Sequence, residues 1–129
     1  MIKAGVLGAG HLGKIHLRLL AASERYELVG FFDPDKKNAA ALASEKGYQY
    51  FNSPEALIDA CEMIDIVTPT VFHHQVAQQA LQAGKHIFIE KPIANSLSEA
   101  QEITEMAKKH QVLGQVGHVE RFNPAFKAV

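Results

Sequence analysis

A chain of 129 residues, 47% hydrophobic and 21% charged, is one domain's worth of ordinary globular composition, which excludes a disordered or low-complexity protein. At this length folding buries roughly two-thirds of the extended chain's surface, enough for a core without disulfide staples. Thirteen basic and fourteen acidic residues leave a net charge of -1, so no broad basic field draws in nucleic acid or an anionic membrane.

The single cysteine, Cys61, has no partner for an internal disulfide and fits a reducing compartment. No run reaches the roughly 18 apolar residues of a membrane span, and a first strand beginning at Ile2 leaves no room for a signal peptide. A cytoplasmic protein is expected.

In chain order, short runs rich in β-branched residues alternate with longer amphipathic stretches. Strands are expected at 2–7 (IKAGVL), 27–32 (ELVGFF), 48–51 (YQYF, the weakest), 63–68 (MIDIVT), 86–90 (HIFIE) and 112–117 (VLGQVG). Helices are expected near 11–22, 35–46, 54–61, 71–83 and 97–110. Ser53-Pro54 supplies an N-cap and a first-turn proline, Ser96-Leu97-Ser98-Glu99 is a capping box, and Gly47 and Gly84 suit helix C-terminal caps. Nothing divides residues 1–129 into two domains. The ending HVERFNPAFKAV leaves the sixth strand and starts a helix at Asn123-Pro124 that stops within about two turns. A helix cut so short suggests that the natural chain continues.

The stretch GVLGAGHLGKIH carries Gly8, Gly10 and Gly13 as G-x-G-x-x-G between a strand and a helix. Gly8 serves the tight turn, Gly10 lets a pyrophosphate approach the backbone, and Gly13 lets helix and strand pack closely. The helix beginning at His11 offers free N–H groups and about half a positive charge to phosphates. Gly8, Ala9, Gly10, His11, Leu12 and Gly13 are thus the loop's candidate contacts. On the glycines alone, a tightly packed turn with no ligand is an equal reading.

The second strand ends in FFDPD, and Asp33 falls twenty residues after Gly13, where a ribose-binding acid is expected. Its carboxylate can accept both ribose hydroxyls and would repel a 2'-phosphate, favouring NAD. Lys36 and Lys37 keep NADP possible. Asp33 can also cap the following helix. Strand, loop, helix and acid in register define an α/β chain of Rossmann type: a doubly wound parallel sheet of about six strands with helices on both faces.

Ligands of such sheets sit beyond the carboxyl ends of the strands. There fall Thr68-Pro69, Glu90-Lys91-Pro92 and Gly117-His118. Thr68-Pro69 reads equally as a helix entry, and Glu90-Lys91-Pro92 as a turn with an exposed ion pair. A lysine directly after a buried strand can instead be partly desolvated, which suits it to a carbonyl or hydroxyl. The seven histidines do not make a metal site. His73 and His74 point about 100° apart on a helix, and the five-residue spacing of His11 and His16 is poor for one face. His16 is expected to pack within the first helix, and His86 and His110 to lie at the surface. His73 alone falls on the ligand edge.

Over its whole length the chain resembles the Gfo/Idh/MocA family of glucose-fructose oxidoreductases and inositol dehydrogenases. The resemblance rests on VLGAGHLGKIH, DIVTPTVFHHQVAQQALQAGKHIFIEKP and VGHVERFNP. The ending VGHVERFNPA is similar to the branch containing nucleotide-sugar 3-dehydrogenases. The resemblance implies a larger β-sheet domain beyond residue 129, carrying the substrate pocket, the acid/base residue and the contacts of a homo-oligomer. It also implies that Lys91 is catalytic, lying beside the nicotinamide and the reacting sugar carbon, and that Pro92 shapes its loop, often through a cis peptide bond. Glu90, Thr68, Pro69 and His73 would border the cofactor, with His118 and Arg121 near its nicotinamide end. One departure is Thr70, where the family often has asparagine. Its hydroxyl can still cap the helix, while a nicotinamide or ribose contact there is in doubt.

Three functions compete on this reading. The first is an oxidoreductase moving hydride between NAD(P) and a sugar, sugar nucleotide or related alcohol. The second is an NAD-dependent glycosidase of the same family, which oxidises transiently and keeps its cofactor. The third is a non-catalytic NAD-binding regulatory module. Residues 1–129 alone are expected to bind dinucleotide with little or no turnover.

Overall fold

The computed structural model describes residues 1–117. Its strands are β1 (Ile2–Leu7), β2 (Tyr26–Phe32), β3 (Met63–Ile66), β4 (His86–Glu90) and β5 (Gly114–Gly117). Its helices are α1 (His11–Ala22), α2 (Lys36–Lys46), α3 (Pro54–Ala60), α4 (His73–Gln82) and α5 (Leu97–Lys109). All strands run parallel in the order β2-β1-β3-β4-β5. From β1 the chain steps outward to β2, then returns past β1 to β3 and continues to β5. That reversal opens a crevice between β1 and β3 at their carboxyl ends.

The run at 48–51 contributes one parallel bridge, Tyr50 to Phe31, outside β2. The segment between the left-handed cap at Gly47 and the N-cap at Ser53 is too short for more. Two backbone bonds, Phe31 N–H to Gln49 O and Phe51 N–H to Phe31 O, complete it. β3 and β5 are each two residues shorter than expected. Thr68-Pro69 leaves the sheet for a 3-10 turn at Thr70–Phe72 that precedes α4, and Val112 N–H is spent on Ala107 O at the end of α5. His118 and the ending that follows lie outside the described residues.

The helix-end signals act as their chemistry dictates. Ser53 Oγ accepts the Ala56 N–H and Ser96 Oγ the Glu99 N–H, both at 3.1 Å. Gly47 and Gly84 follow α2 and α4 with positive φ. Thr70 does not cap: neither the 3-10 turn nor α4 has a side-chain cap at its start, because the turn is entered directly from Pro69.

Alternation along the strands sorts side chains to two faces. Leu7, Ile64, Ile66, Ile87 and Ile89 pack with Leu57, Leu81 and Ile103 under α3, α4 and α5. Val6 and Phe31 pack with Leu17, Ala39 and Leu42 under α1 and α2. Each fully buried isoleucine contributes about 1.5–3 kcal/mol, so the α3–α5 face carries most of the core. The period of two also turns Asp65 and Phe88 away from that core, toward the α1 side.

Cys61 lies inside the α3–α5 core, 2% exposed, and burial pushes its thiol up to about 11. A buried thiol with so little thiolate is chemically quiet. Iodoacetamide at pH 8 should therefore leave Cys61 unmodified in the native chain and label it rapidly in denaturant, as intact mass would show.

Candidate functional site

At the end of β1 the chain turns through Gly8, whose φ of +106° and closeness to Val67 O, 2.6 Å from an added Cβ, both require glycine. Gly13 lies in the first turn of α1, where any Cβ would collide with Gly8 O. Loop and helix therefore meet backbone to backbone. Gly10 differs from both, because nothing lies within 4 Å of the place a Cβ would take. That space is open to a ligand.

Gly10 is also the N-cap of α1 and offers no side-chain acceptor, whereas Asp35, Ser53 and Ser96 cap α2, α3 and α5. The first-turn N–H groups of α1 are left for an anion, reinforced by the helix dipole. An empty cradle beside an uncapped helix end fits a pyrophosphate.

The loop is braced from β2. Ala9 N–H donates to Asp33 Oδ2 at 2.7 Å and Asp35 N–H to Asp33 Oδ1 at 2.8 Å. Asn38 Nδ2 donates to Ala9 O at 3.2 Å and the Tyr50 hydroxyl to Asp33 O at 3.4 Å. Each carboxylate oxygen retains a lone pair for a ribose hydroxyl. Asp33 does not cap α2; Asp35 does, accepting Asn38 N–H at 3.1 Å, because the oxygens of Asp33 are committed to the turn before it. Ala9 is buried and serves the site through its backbone. Sequence reasoning missed Asn38 and Tyr50, although Asn38 stands three residues after an aspartate at a helix start.

Gly8, Gly10, His11, Leu12, Gly13 and Asp33 line one cleft with Thr68 and Pro69, about 690 Å³ in volume, a size suited to a cofactor. The Thr68 hydroxyl is buried and lacks a hydrogen-bond partner among the described residues. A buried polar atom of this kind at a cleft wall fits a polar ligand.

The other expected residues stand apart from that cleft. His73 is 1% exposed, its Nδ1 lying 2.9 Å from Pro92 O and its Nε2 2.9 Å from Thr68 O. It clamps two strand-end loops together instead of presenting a nitrogen to a ligand. Glu90 directs its carboxylate to His16, 3.0 Å away. Lys91 follows, exposed rather than partly desolvated, and its peptide bond to Pro92 is cis.

His16 does more than pack. Its Nδ1 lies 2.7 Å from Asp65 Oδ2, and its Nε2 faces Glu90 Oε1. The hydrogen bond to Asp65 comes first in raising the imidazole's affinity for a proton, against the opposing effect of burial. Burial likewise lifts the Asp65 carboxyl above its usual range, although His16 opposes it. A raised histidine contributes stability that is present below its unfolded value of 6.5 and lost as pH rises through the folded value. The raised Asp65 acts in the same direction at lower pH.

Gly10→Ala should lose at most about 1 kcal/mol of stability yet weaken dinucleotide binding tenfold or more, as thermal melts and calorimetry on one sample would show. His16→Gln strips two buried carboxylates of their cation and should cost about 3–5 kcal/mol at pH 6.5. The wild type should lose stability as pH is raised above 6.5, while the variant's stability stays flat; denaturant melts across that window check it.

A phosphate cradle, an acid behind it and a crevice at the sheet's reversal point define a dinucleotide-binding domain. A family model described as "Oxidoreductase family, NAD-binding Rossmann fold" matches residues 2–118, and the chain belongs to this family, Gfo/Idh/MocA. UDP-N-acetylglucosamine 3-dehydrogenase of Acidithiobacillus ferrooxidans is 38% identical over 126 residues, covering 98% of this chain and 40% of that protein. Its solved structure superposes with a TM-score of 0.92, over 42% of that chain. Glucose-6-phosphate 3-dehydrogenase of Bacillus subtilis is 34% identical over 122 residues, 95% of this chain and 35% of that one. The complex of biliverdin reductase with biliverdin and NADP+ from Synechocystis superposes at 0.92 with 27% identity, covering 98% of this chain and 41% of the other. The chain thus spans about two-fifths of the length of the relatives it matches. No described helix is long and apolar enough to cross a membrane.

Proposed function

We propose that this chain prefers NAD to NADP and forms the cofactor half of a dehydrogenase acting on a sugar, sugar nucleotide or related alcohol. The observation that carries this reading is Asp33, half-buried at the cleft wall with both oxygens fixed by the Ala9 and Asp35 N–H groups. A ribose diol meets an oriented acceptor there, and a 2'-phosphate meets a like charge. Lys36 and Lys37, exposed at the start of α2, make NADP the alternative outcome of the test.

Bound NAD(P) would supply a hydride acceptor in its nicotinamide ring. The first-turn N–H groups of α1 would hold the pyrophosphate, and Thr68 and Pro69 would border the cofactor. Lys91, exposed just after β4, would donate to the substrate oxygen and stabilise negative charge as it develops. Support for the substrate class comes from the relatives, whose names specify a nucleotide sugar, a sugar phosphate and an inositol. Their greater length supports a substrate-binding part beyond these residues.

Calorimetric titration of the wild type and Asp33→Asn with both cofactors tests the reading. Asparagine keeps an acceptor for Ala9 N–H but drops the charge, so the wild type's NAD preference, expected at about tenfold or more, should shrink. A folded wild type that binds neither cofactor, or prefers NADP, rejects it. In the whole protein, Lys91→Ala should lower kcat about 100-fold or more with NAD affinity unchanged.

A further inference from the structure

One buried charged cluster among the described residues lies outside the cleft. His16 on α1, Asp65 on β3 and Glu90 on β4 meet on the α1 side of the sheet at 2.7 and 3.0 Å. The Phe88 ring sits tilted beside the imidazole, centroids 6.1 Å apart, and a Cβ at Gly117 on β5 would come within 3.0 Å of Glu90 Oε1. Neither neighbour brings charge, so Asp65 and Glu90 are the titratable groups of the described strands that face His16. For stability alone such a cluster is a poor investment, since well-packed apolar groups of similar volume often do better.

Its placement supplies the reason. Glu90 is the last residue of β4 and Lys91 the next in the chain. On the opposite face His73, from α4, stands against the carbonyl of Pro92. The lysine therefore hangs between two residues held by histidines from opposite sides of the sheet. His16 in turn rides on the helix whose first turn forms the phosphate cradle.

We propose that His16 is a positioning residue for Lys91: by bridging Asp65 and Glu90 it fixes the end of β4, and the lysine after it, relative to the glycine loop. This rests on the role given to Lys91 above. Only the protonated ring can donate to both carboxylates at once, so deprotonation releases one of them and loosens the end of β4. The elevated proton affinity of His16 carries the closed bridge to higher pH than an ordinary imidazole would hold it.

An NMR pH titration of this chain tests the coupling, following the His16 ring and the labelled Lys91 side chain together. The Lys91 signal should inflect at the pH where His16 loses its proton, and that inflection should vanish in Asp65→Asn. A Lys91 signal indifferent to His16 overturns the proposal. If Asp65→Asn fails to fold, coincidence or its absence in the wild type decides alone. In the whole protein Asp65→Asn should lower kcat about 10- to 100-fold and move the alkaline limb of its pH profile, with NAD affinity within about twofold. Parallel loss of affinity and kcat, or an unmoved profile, marks a merely structural cluster and overturns it. A wild type that binds no dinucleotide sinks the proposed function instead, and the NMR coupling still passes or fails by itself.

Discussion

The contact on which the rest depends is between two backbones. Gly13 in the first turn of α1 lies so close to the Gly8 carbonyl that no side chain fits between them, and this fixes how the helix leaves the end of β1. One consequence is local: the uncapped N-terminus of α1 is held over the crevice between β1 and β3, where its free N–H groups converge on open space at Gly10. The other is felt farther along the helix. His16, three residues after Gly13, arrives over Asp65 and Glu90. Cofactor cradle and buried charge cluster are therefore two results of one close approach.

The sheet's alternation adds a second constraint. Residues of β3 and β4 that face α4 and α5 are isoleucines, and their neighbours facing α1 are Asp65, Phe88 and Glu90. Putting the carboxylates on the thinner face keeps them out of the main core, where an unpaired charge would be most costly. A single imidazole serves both. Asp65 Oδ1 still has no partner among the described residues, so this face is less completely satisfied than the other.

What was legible in the sequence was what local chemistry decides. The caps at Ser53, Ser96 and Gly47 depend on residues within one turn of each other, and the helix starts at 54 and 97 follow from them. The glycine loop and Asp33 were legible because their spacing is imposed by a strand-turn-helix unit of nearly fixed length. Long-range pairing was not. His16 and Asp65 are 49 residues apart, and no periodicity announces that a polar residue on a helix will find two acids on neighbouring strands. The strand expected at 48–51 shows the same limit: YQYF has strand composition, but the caps on either side leave it room for one bridge.

Two histidines packed against opposite faces of the sheet, His73 and His16, show how position decides the role of one residue type. His73 lies behind Thr68 and Pro92, against two carbonyl oxygens, and joins loops that leave different strands. His16 lies between two carboxylates, and its charge is what makes the cluster tolerable. The partners of His73 are neutral, whereas His16 stands between two negative charges. The bridge from α1 therefore works through charge, and loss of its proton opens it.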